Sequence, residues 1–268
     1  MDLQLQDRHV AVVGAGGVLG QAIARGLAAE GARLSLFSRD ASSLAPLADA
    51  LRALGSPRVI TLDCDLGDEA AVGTAIAAAD GRSAADGGQG PIDSLVCAAG
   101  AAQGGVFWEL DDAAWRDSLE VKLFGTLRVL RAITPRMVAR RAGRIVLVVG
   151  NSARQPEPRM LPGAAANAAL LAVVRGLAEE LGPHGVALNA VNPGPVRSAR
   201  WDRLMQAAAA LEAITAAEAE RRFLEKTALR RLATPEEIAQ HVVFLASPTA
   251  AHLTGTSVTV DGGSTKSP

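Results

Sequence analysis

The sequence predicts a doubly wound α/β fold, with one parallel sheet of about seven strands and helices on both faces. Three observations support this prediction. Short apolar runs alternate with helical patterns from one end of the chain to the other. The apolar runs are continuous rather than alternating, as expected of strands buried on both faces of a parallel sheet. A glycine-rich turn at residues 14–20 also joins the first apolar run to the first helical pattern.

Seven strands are predicted from the apolar runs. They cover residues 9–14, 33–37, 58–64, 94–100, 144–150, 186–194 and 257–263. Helical patterns fill the intervals at 20–31, 44–55, 69–80, 113–143 and 161–182. A further helix begins at Thr234, which has the spacing of a capping box with Glu237. No internal repeat divides the chain, so we expect one domain over 1–268, with a flexible Gly-rich loop at 81–91.

Composition argues against several classes of partner. The formal net charge is −1 with both signs interspersed, so there is no electrostatic basis for binding nucleic acid or a membrane surface. No apolar run approaches the roughly 18–20 uncharged residues that span a bilayer. The first residues also lack a signal-peptide pattern. We therefore expect a cytoplasmic protein that acts on a small molecule.

The cysteines, histidines and aromatic residues limit the kinds of reaction that the protein can catalyse. Cys64 and Cys97 lie in predicted strands rather than at metal-ligand spacing, and the four histidines form no cluster. No metal site is therefore expected. The chain contains no tyrosine, which excludes any chemistry that needs a phenol as proton donor.

The glycines between the first strand and the first helix predict a dinucleotide site. Gly14 permits a tight turn, and Gly16 or Gly17 lets the backbone approach a pyrophosphate. Gly20 lets the helix pack against the sheet, and the amino end of that helix then faces the phosphates. A glycine turn with a purely structural role is the alternative.

The end of the second strand indicates which dinucleotide is bound. A site for NAD(H) places a carboxylate there, which accepts a hydrogen bond from the 2′-hydroxyl of the adenine ribose. Here the strand ends in Ser38 and Arg39, and a hydroxyl followed by a forked cation suits a 2′-phosphate. Asp40, one residue later, is interpreted as a solvated turn residue. The sequence therefore favours NADP(H) over NAD(H).

These features and three later motifs resemble the classical short-chain dehydrogenase/reductase family over nearly the whole chain. The segments "AAG" (98–100), "LNAVNPGPVRS" (188–198) and "GTSVTVDGG" (255–263) are similar to its N-N-A-G, sixth-strand and last-strand motifs. The resemblance implies a Rossmann-like single domain that acts as an oxidoreductase on carbonyls or alcohols. It also implies cofactor contacts at Asp65, Ala99, Gly100, Pro193, Gly194, Val196 and Ser198.

The catalytic positions depart from the family pattern. The family uses a Tyr as general acid, a Lys four residues later, a Ser thirteen residues before the Tyr, and an Asn on the preceding long helix. In this register Gly163 stands at the Tyr position and Gly150 at the Ser position. Asn167 replaces the Lys, and Lys122 replaces the Asn. The resemblance therefore predicts an oxidoreductase whose standard proton relay is lost.

Two interpretations of this site remain open. In the first, Lys122 and Asn167 have exchanged roles in one pocket, and either of them bonds the cofactor ribose. Lys122 is also a candidate proton donor. Ser152 or Asn151 then polarises the substrate oxygen. The alternative for Lys122 is a snorkelling surface lysine whose neighbours are unrelated to catalysis. In the second interpretation, the protein is a non-redox enzyme of this fold or an inactive partner of an active relative. The simplest alternative for Asn167 is an exposed first helical turn. Unless Lys122 compensates, reduction of simple ketones is expected to be near background.

The resemblance also implies self-association. Relatives commonly assemble through the helices that correspond to 113–140 and 163–181. The apolar faces of these helices are larger than one sheet layer can cover. We expect a homodimer or homotetramer, or a hetero-oligomer with an active relative.

The remaining expectations concern the substrate. The family's substrate lid corresponds to residues 198–232, which begin near Trp201. Arg154, Glu157 and Arg159 are expected at the mouth of the pocket. If these side chains face the cleft, they favour a polar or carboxylated substrate.

Overall fold

Seven parallel strands form the central sheet of the structure, a computed structural model that describes residues 1–81, 89–100 and 104–266. The strands are β1 (His9–Val13), β2 (Arg33–Ser38), β3 (Val59–Asp63), β4 (Ser94–Cys97), β5 (Gly143–Val148), β6 (Val186–Pro193) and β7 (Ser257–Val260). Their order across the sheet is β3-β2-β1-β4-β5-β6-β7. The predicted Rossmann-like, doubly wound fold is confirmed, and each predicted strand is present with slightly different ends.

The helices lie between the strands. They are α1 (Val18–Ala29), α2 (Ala45–Ala53), α3 (Glu69–Asp80), α4 (Asp112–Leu119), α5 (Gly125–Arg140), α6 (Leu161–Leu181), α7 (Ala199–Glu212), α8 (Ala216–Glu225) and α9 (Pro235–Ala246). The single helix predicted over 113–143 is divided, because a π-helical turn at Glu120–Phe124 separates α4 from α5. Of the loop predicted at 81–91, residues 82–88 lie outside the described part of the chain.

Helices cover both faces of the sheet. On one face, α1, α2 and α9 bury apolar side chains such as Ile23, Leu47 and Val242. On the other face, α3 and α5 bury Ile76 and Ile133 against the strands. The five central strands are buried on both faces and are largely apolar, whereas the edge strands β3 and β7 are only partly buried.

Helix starts match local sequence signals. The Thr234 hydroxyl accepts a hydrogen bond from the Glu237 backbone N–H at 3.2 Å, and the Glu237 carboxylate accepts one from the Thr234 N–H at 2.9 Å. The predicted capping box is therefore confirmed. At the start of α3, the Asp68 carboxylate accepts hydrogen bonds from the backbone N–H groups of Ala70 and Ala71. Such caps satisfy donors that a helix start leaves unpaired.

Helix α6 carries the longest apolar stretch. By length and composition alone, Leu161–His184 is long and apolar enough to cross a membrane, although it carries charged residues such as Arg175 and Glu179. In the fold, α6 packs along β6 and buries Leu170, Val174 and Ala178 in the core. Packing in the core accounts for the apolar character of this helix.

The direction of winding reverses between β1 and β4, which are neighbours in the sheet. The carboxyl ends of these strands and of β5 therefore open onto one crevice, where doubly wound folds bind their ligands. The glycine turn follows β1, and the turns at 98–100 and 149–155 follow β4 and β5. These three turns border the candidate site.

Candidate active site

The turn after β1 is shaped by two glycines. Gly14 has φ +80°, and a Cβ placed there would lie 2.7 Å from the backbone nitrogen of Ala99. A Cβ on Gly20 would overlap the carbonyl oxygen of Gly14. Only glycine fits at either position. The turn therefore packs against the segment after β4 and lets α1 begin directly beside it.

The amino end of α1 fits a phosphate group. Its N-cap is Gly17, which provides no side-chain cap, and the first turn carries no acidic residue. Gly16 and Gly17 are exposed, and the nearest atom to a Cβ on Gly16 would be 3.7 Å away, on Leu44. Uncapped N–H groups at the start of a helix attract anions. The predicted dinucleotide turn can therefore accept a pyrophosphate.

The end of β2 adjoins this turn. The Ser38 hydroxyl lies 3.8 Å from the Cβ position of Gly16, and the next residue, Arg39, is exposed. The Asp40 carboxylate is engaged in its own turn, where it accepts hydrogen bonds from the Ser42 N–H at 2.9 Å and the Ser42 hydroxyl at 2.6 Å. These hydrogen bonds hold the pKa of Asp40 below its usual value. Asp40 is thus a turn residue, and Arg39 is the exposed charged group beside the site.

Two further predicted contacts border the same crevice. Asp65 follows β3, is exposed, and accepts a hydrogen bond from the Gly67 N–H at 2.9 Å. Gly100 has φ +154°, and a Cβ there would lie 3.1 Å from Cδ of Lys122. The segment after β4 therefore lies directly against the Lys122 side chain.

The turn after β6 is held by the last strand. The Gly194 N–H donates a hydrogen bond to the Val260 carbonyl at 3.0 Å. A Cβ on Gly194 would lie 2.5 Å from Cβ of Asp261. Pro193 and Gly194 are thereby fixed at the carboxyl edge of the sheet, where the resemblance expects the nicotinamide.

Ser198 has a local role in this structure. Its hydroxyl accepts a hydrogen bond from the Trp201 N–H at 3.2 Å and donates one to the Val196 carbonyl at 3.2 Å. Val196 itself forms a backbone bridge with Ala233. The Ser198 hydroxyl therefore caps α7, a use that competes with the cofactor contact expected from the resemblance.

Lys122 points into the crevice. It lies in the π-helical turn at Glu120–Phe124, and such turns are frequent at functional sites. Its Nζ donates a hydrogen bond to the Val149 carbonyl at 2.7 Å, which contradicts the alternative of an unrelated surface lysine. Burial, together with the positive charge of Arg200, lowers the pKa of Lys122 to about 8. The structure therefore holds an ammonium that can release a proton near neutral pH beside the turn after β5.

Asn167 reaches the same turn from α6. It is only 5% exposed, so the expectation of an exposed first helical turn is wrong. Its Nδ2 donates a hydrogen bond to the Ser152 hydroxyl at 2.8 Å, whereas its buried Oδ1 has no partner among the described residues. Gly150 has φ +140°, and a Cβ there would lie 2.8 Å from Nδ2 of Asn167. The amide fills the space that a side chain at position 150 would need.

Lys122 and Asn167, whose residue types are exchanged relative to the family pattern, therefore both form hydrogen bonds to the turn after β5. Lys122 contacts Val149, and Asn167 contacts Ser152, three positions later in the same segment. Gly163 is buried one helical turn before Asn167 and adds no functional group. The turn presents one ammonium and one amide, each oriented by a hydrogen bond.

Charged side chains lie at the rim. Arg154, Glu157 and Arg159 are all exposed in the segment between β5 and α6. The Arg159 carbonyl accepts a hydrogen bond from the Gly105 N–H at 2.8 Å, which joins this segment to the one after β4. The charged rim therefore lies between the two turns that border the crevice.

The predicted lid at 198–232 has an apolar interior of its own. Within it, Trp201 and Met205 of α7 are buried, with Phe223 of α8 packed against them. The Trp201 ring meets the Phe223 ring edge to face at 4.9 Å, and its Nε1 donates a hydrogen bond to Glu220 at 2.7 Å. Trp201 therefore joins the two lid helices together.

Sequence reasoning missed three residues near this site. The Thr126 hydroxyl donates a hydrogen bond to the Lys122 carbonyl at 2.7 Å and stabilises the π-helical turn. The Gln155 amide donates one at 3.2 Å to the carbonyl of Ser264, which lies 109 residues away in the chain. The threonine carries a weak local signal, because it lies four residues after Lys122 on one helical face. No local sequence pattern marks Gln155 or Ser264.

Comparisons with known proteins agree with this architecture. A family model described as enoyl-(acyl carrier protein) reductase matches residues 14–265. The chain is 35% identical over 258 residues to short-chain reductase protein NovJ of Streptomyces niveus, covering 96% of this chain and 94% of that protein. It is 34% identical over 264 residues to galactitol 2-dehydrogenase (L-tagatose-forming) of Cereibacter sphaeroides, covering 98% and 96%.

Solved structures show the same similarity. L-sorbose reductase from Gluconobacter frateurii, complexed with NADPH and L-sorbose, has a TM-score of 0.89 at 26% identity over 100% of both chains. A variant of actinorhodin polyketide ketoreductase with NADPH has a TM-score of 0.88 at 28% identity, covering 97% of this chain and 98% of that one. With the glycine turn and the strand motifs in place, this similarity shows that the chain belongs to the short-chain dehydrogenase/reductase family.

Proposed function

We propose that this NAD(P)-dependent oxidoreductase reduces carbonyls with NADP(H) through an exchanged relay, in which Lys122 supplies the proton and Asn167 polarises the substrate oxygen. One observation carries the proposal. The Lys122 Nζ lies 2.7 Å from the Val149 carbonyl, and the Asn167 Nδ2 lies 2.8 Å from the Ser152 hydroxyl, so both groups reach one short turn. No tyrosine is available in the chain.

The preference for NADP(H) follows from the end of β2. The exposed Arg39 guanidinium and the Ser38 hydroxyl suit a 2′-phosphate, while Asp40 is engaged in its own turn. Both the L-sorbose reductase and the actinorhodin ketoreductase structures contain NADPH. When bound, the cofactor supplies the hydride that reduces the carbonyl carbon. Gly14, Gly16, Gly17 and Gly20 with the α1 amino end would hold its pyrophosphate.

Lys122 is suited to deliver the proton. Its ammonium carries three N–H groups, and the Val149 carbonyl takes one of them. The other two are available to a substrate oxygen or a ribose hydroxyl. As the carbonyl carbon is reduced, its oxygen gains an electron pair and takes a proton from the Lys122 ammonium. The neutral amine then recovers a proton from solvent, and its pKa of about 8 permits both steps near neutral pH.

Asn167 is suited to polarise the same oxygen. One N–H of its amide is used by the Ser152 hydroxyl, which fixes the plane of the amide. The Nδ2 atom lies 2.8 Å from the position that a Cβ at residue 150 would occupy, and its second N–H would donate to the substrate oxygen. A donor aimed at a developing oxyanion stabilises the transition state. The buried Oδ1 has no hydrogen-bond partner among the described residues, and a ribose hydroxyl would supply one.

The rim of the crevice favours a polar or carboxylated substrate. Two cations, Arg154 and Arg159, and one carboxylate, Glu157, are exposed there. A third cation, Arg200, lies close enough to lower the pKa of Lys122. An anionic group on the substrate would offset this concentration of positive charge. We further propose that residues 198–232 form the lid, and that the enzyme is a soluble, cytoplasmic homodimer or homotetramer.

A cofactor-binding subunit without turnover, or a non-redox enzyme, is the second candidate. It is favoured by the glycines at 150 and 163, which remove both hydroxyl-bearing side chains of the family's relay. Such a subunit would bind NADPH and pair with an active relative. The two candidates differ in whether Lys122 affects turnover.

Turnover of a panel of neutral and carboxylated aldehydes and ketones with NADPH tests the proposal. We expect measurable reduction of carboxylated substrates and a loss of about 10²–10⁴-fold in kcat in Lys122→Met, the usual contribution of a general acid. The control is Arg25→Met, which removes an exposed cation from the middle of α1, outside the proposed lid. Equal turnover in wild type and Lys122→Met would contradict the exchanged relay. NADPH binding with no turnover on any substrate would support the second candidate.

A further inference from the structure

The carboxyl-terminal segment is hydrogen-bonded to the turn at 149–155 after β5, here called the catalytic turn. The Asn151 Nδ2 donates a hydrogen bond to the Ser264 hydroxyl at 2.9 Å, and the Gln155 Nε2 donates one to the Ser264 carbonyl at 3.2 Å. The Lys266 N–H donates a third to Oε1 of Gln155 at 2.6 Å. Ser264 and Lys266 therefore form hydrogen bonds to residues before and after Ser152 in the chain.

A partly buried carboxylate organises this segment. Asp261 accepts hydrogen bonds from the Gly263 N–H at 2.9 Å, the Ser264 hydroxyl at 3.0 Å and the Thr265 N–H at 2.7 Å. Burial raises the pKa of Asp261, but the hydrogen bonds outweigh it and hold the pKa below its usual value. The backbone of Gly194 packs against this aspartate. Asp261 therefore links the turn after β6 to the turn after β5.

The catalytic turn needs such an outside restraint. Gly150 adopts φ +140°, a conformation open to glycine alone, and glycine loses more conformational freedom on ordering than any other residue. Ser152 is two positions later and must stay within hydrogen-bond reach of Asn167. A displacement of about 1 Å at a catalytic group is enough to slow a reaction strongly.

We propose that residues 261–266, here called the C-terminal clasp, position the catalytic turn. Asp261 orients the Ser264 hydroxyl, Ser264 holds Asn151, and Asn151 keeps the adjacent Ser152 against Asn167. Asp261 and Ser264 are positioning residues, since they act through the turn and touch no reacting atom. The effect on catalysis rests on the proposed function, whereas the effect on the turn does not.

Hydrogen exchange tests the clasp without any substrate. The N–H groups of Ala153, Arg154 and Gln155 are hydrogen-bonded within the turn. In NADP⁺-loaded Ser264→Ala, we expect a peptide that covers 150–155 to exchange about tenfold faster than in wild type, the size of effect of one hydrogen bond. The matched control is Ser94→Ala, which removes a buried hydroxyl bonded to the Ala246 carbonyl at 2.7 Å at the opposite edge of the sheet.

Steady-state kinetics test the route to Asn167. Ser264→Ala should lower kcat about tenfold with little change in the KM for NADPH, and should have no further effect in an Asn167→Ala background. Ser94→Ala should leave kcat unchanged. An unchanged exchange rate in Ser264→Ala, or an equal kcat loss in both backgrounds, would overturn the proposal. If wild type shows no turnover, the proposed function fails, and the exchange rates still decide whether the clasp holds the turn.

Discussion

The phosphate end and the catalytic end of the crevice are built from different parts of the chain. At the phosphate end the backbone forms the site, because Gly14 and Gly20 pack against neighbouring backbone and the α1 amino end is uncapped. At the proposed catalytic end, the side chains of Lys122 and Asn167 form the site. A backbone site cannot change without disturbing the sheet beside it. Side chains can be exchanged while the fold is kept, so chemistry can diverge more easily than cofactor binding.

The largest effect is expected where the backbone is most crowded. A Cβ on Gly20 would overlap the Gly14 carbonyl, so Gly20→Ala should lower the free energy of unfolding by about 3 kcal/mol or more and abolish NADPH binding. Urea denaturation and NADPH titration measure both effects. Gly73→Ala is the control, because a Cβ there meets nothing within 4 Å on α3, and it should stabilise the protein by about 0.5–1 kcal/mol. A well-folded Gly20→Ala protein that binds NADPH normally would show that the backbone at the phosphate end tolerates change, contrary to this comparison.

Arg39, the side chain at the phosphate end, is expected to affect only the preference for NADPH over NADH. Arg39→Ala should weaken NADPH binding by about 1.5–3 kcal/mol, the range of a hydrogen bond to a charged group, and NADH binding much less. Titration with both cofactors measures the difference. Equal losses for NADPH and NADH would show that Arg39 does not bind the 2′-phosphate.

Restoring the family's serine should not restore its chemistry. Gly150→Ser places a side chain at φ +140° and against the Asn167 amide, so the free energy of unfolding should fall by about 1–3 kcal/mol. Gly73→Ser is the control, because Gly73 lies in α3 with nothing within 4 Å of its Cβ position. Urea denaturation measures both variants. A Gly150→Ser protein that is as stable as wild type and more active would indicate that the turn still accepts the standard relay.

The smallest effect is the pH dependence of the exchanged relay. Reduction needs the protonated Lys122, whose pKa is about 8, so kcat should be constant at lower pH and fall about tenfold per pH unit above it. Alcohol oxidation needs the neutral amine and should rise as the pH increases through the same value. Rate profiles in both directions test this, and the inflection should be lost from any residual activity of Lys122→Met. An inflection that persists in that variant would assign the titration to another group.

The fold was predictable because its signals are local. The five central strands are largely apolar because both of their faces are buried, and each apolar run could be located without knowledge of its neighbours. The glycine turn and the Thr234 capping box depend on residues a few positions apart. The π-helical turn at Glu120–Phe124 was not predictable, because periodicity alone does not locate one extra residue per turn.

The sequence alone determined the sheet, the nucleotide turn and the absence of a phenol, because these depend on composition and on residues close together in the chain. Only the tertiary structure decided that Lys122 and Asn167 meet at one turn, that Asn167 is buried, and that Ser264 holds that turn. The reason is physical. Lys122 lies 27 residues from Val149, and Ser264 lies 113 residues from Asn151, so packing of the helices and the chain end against the sheet brings these atoms together.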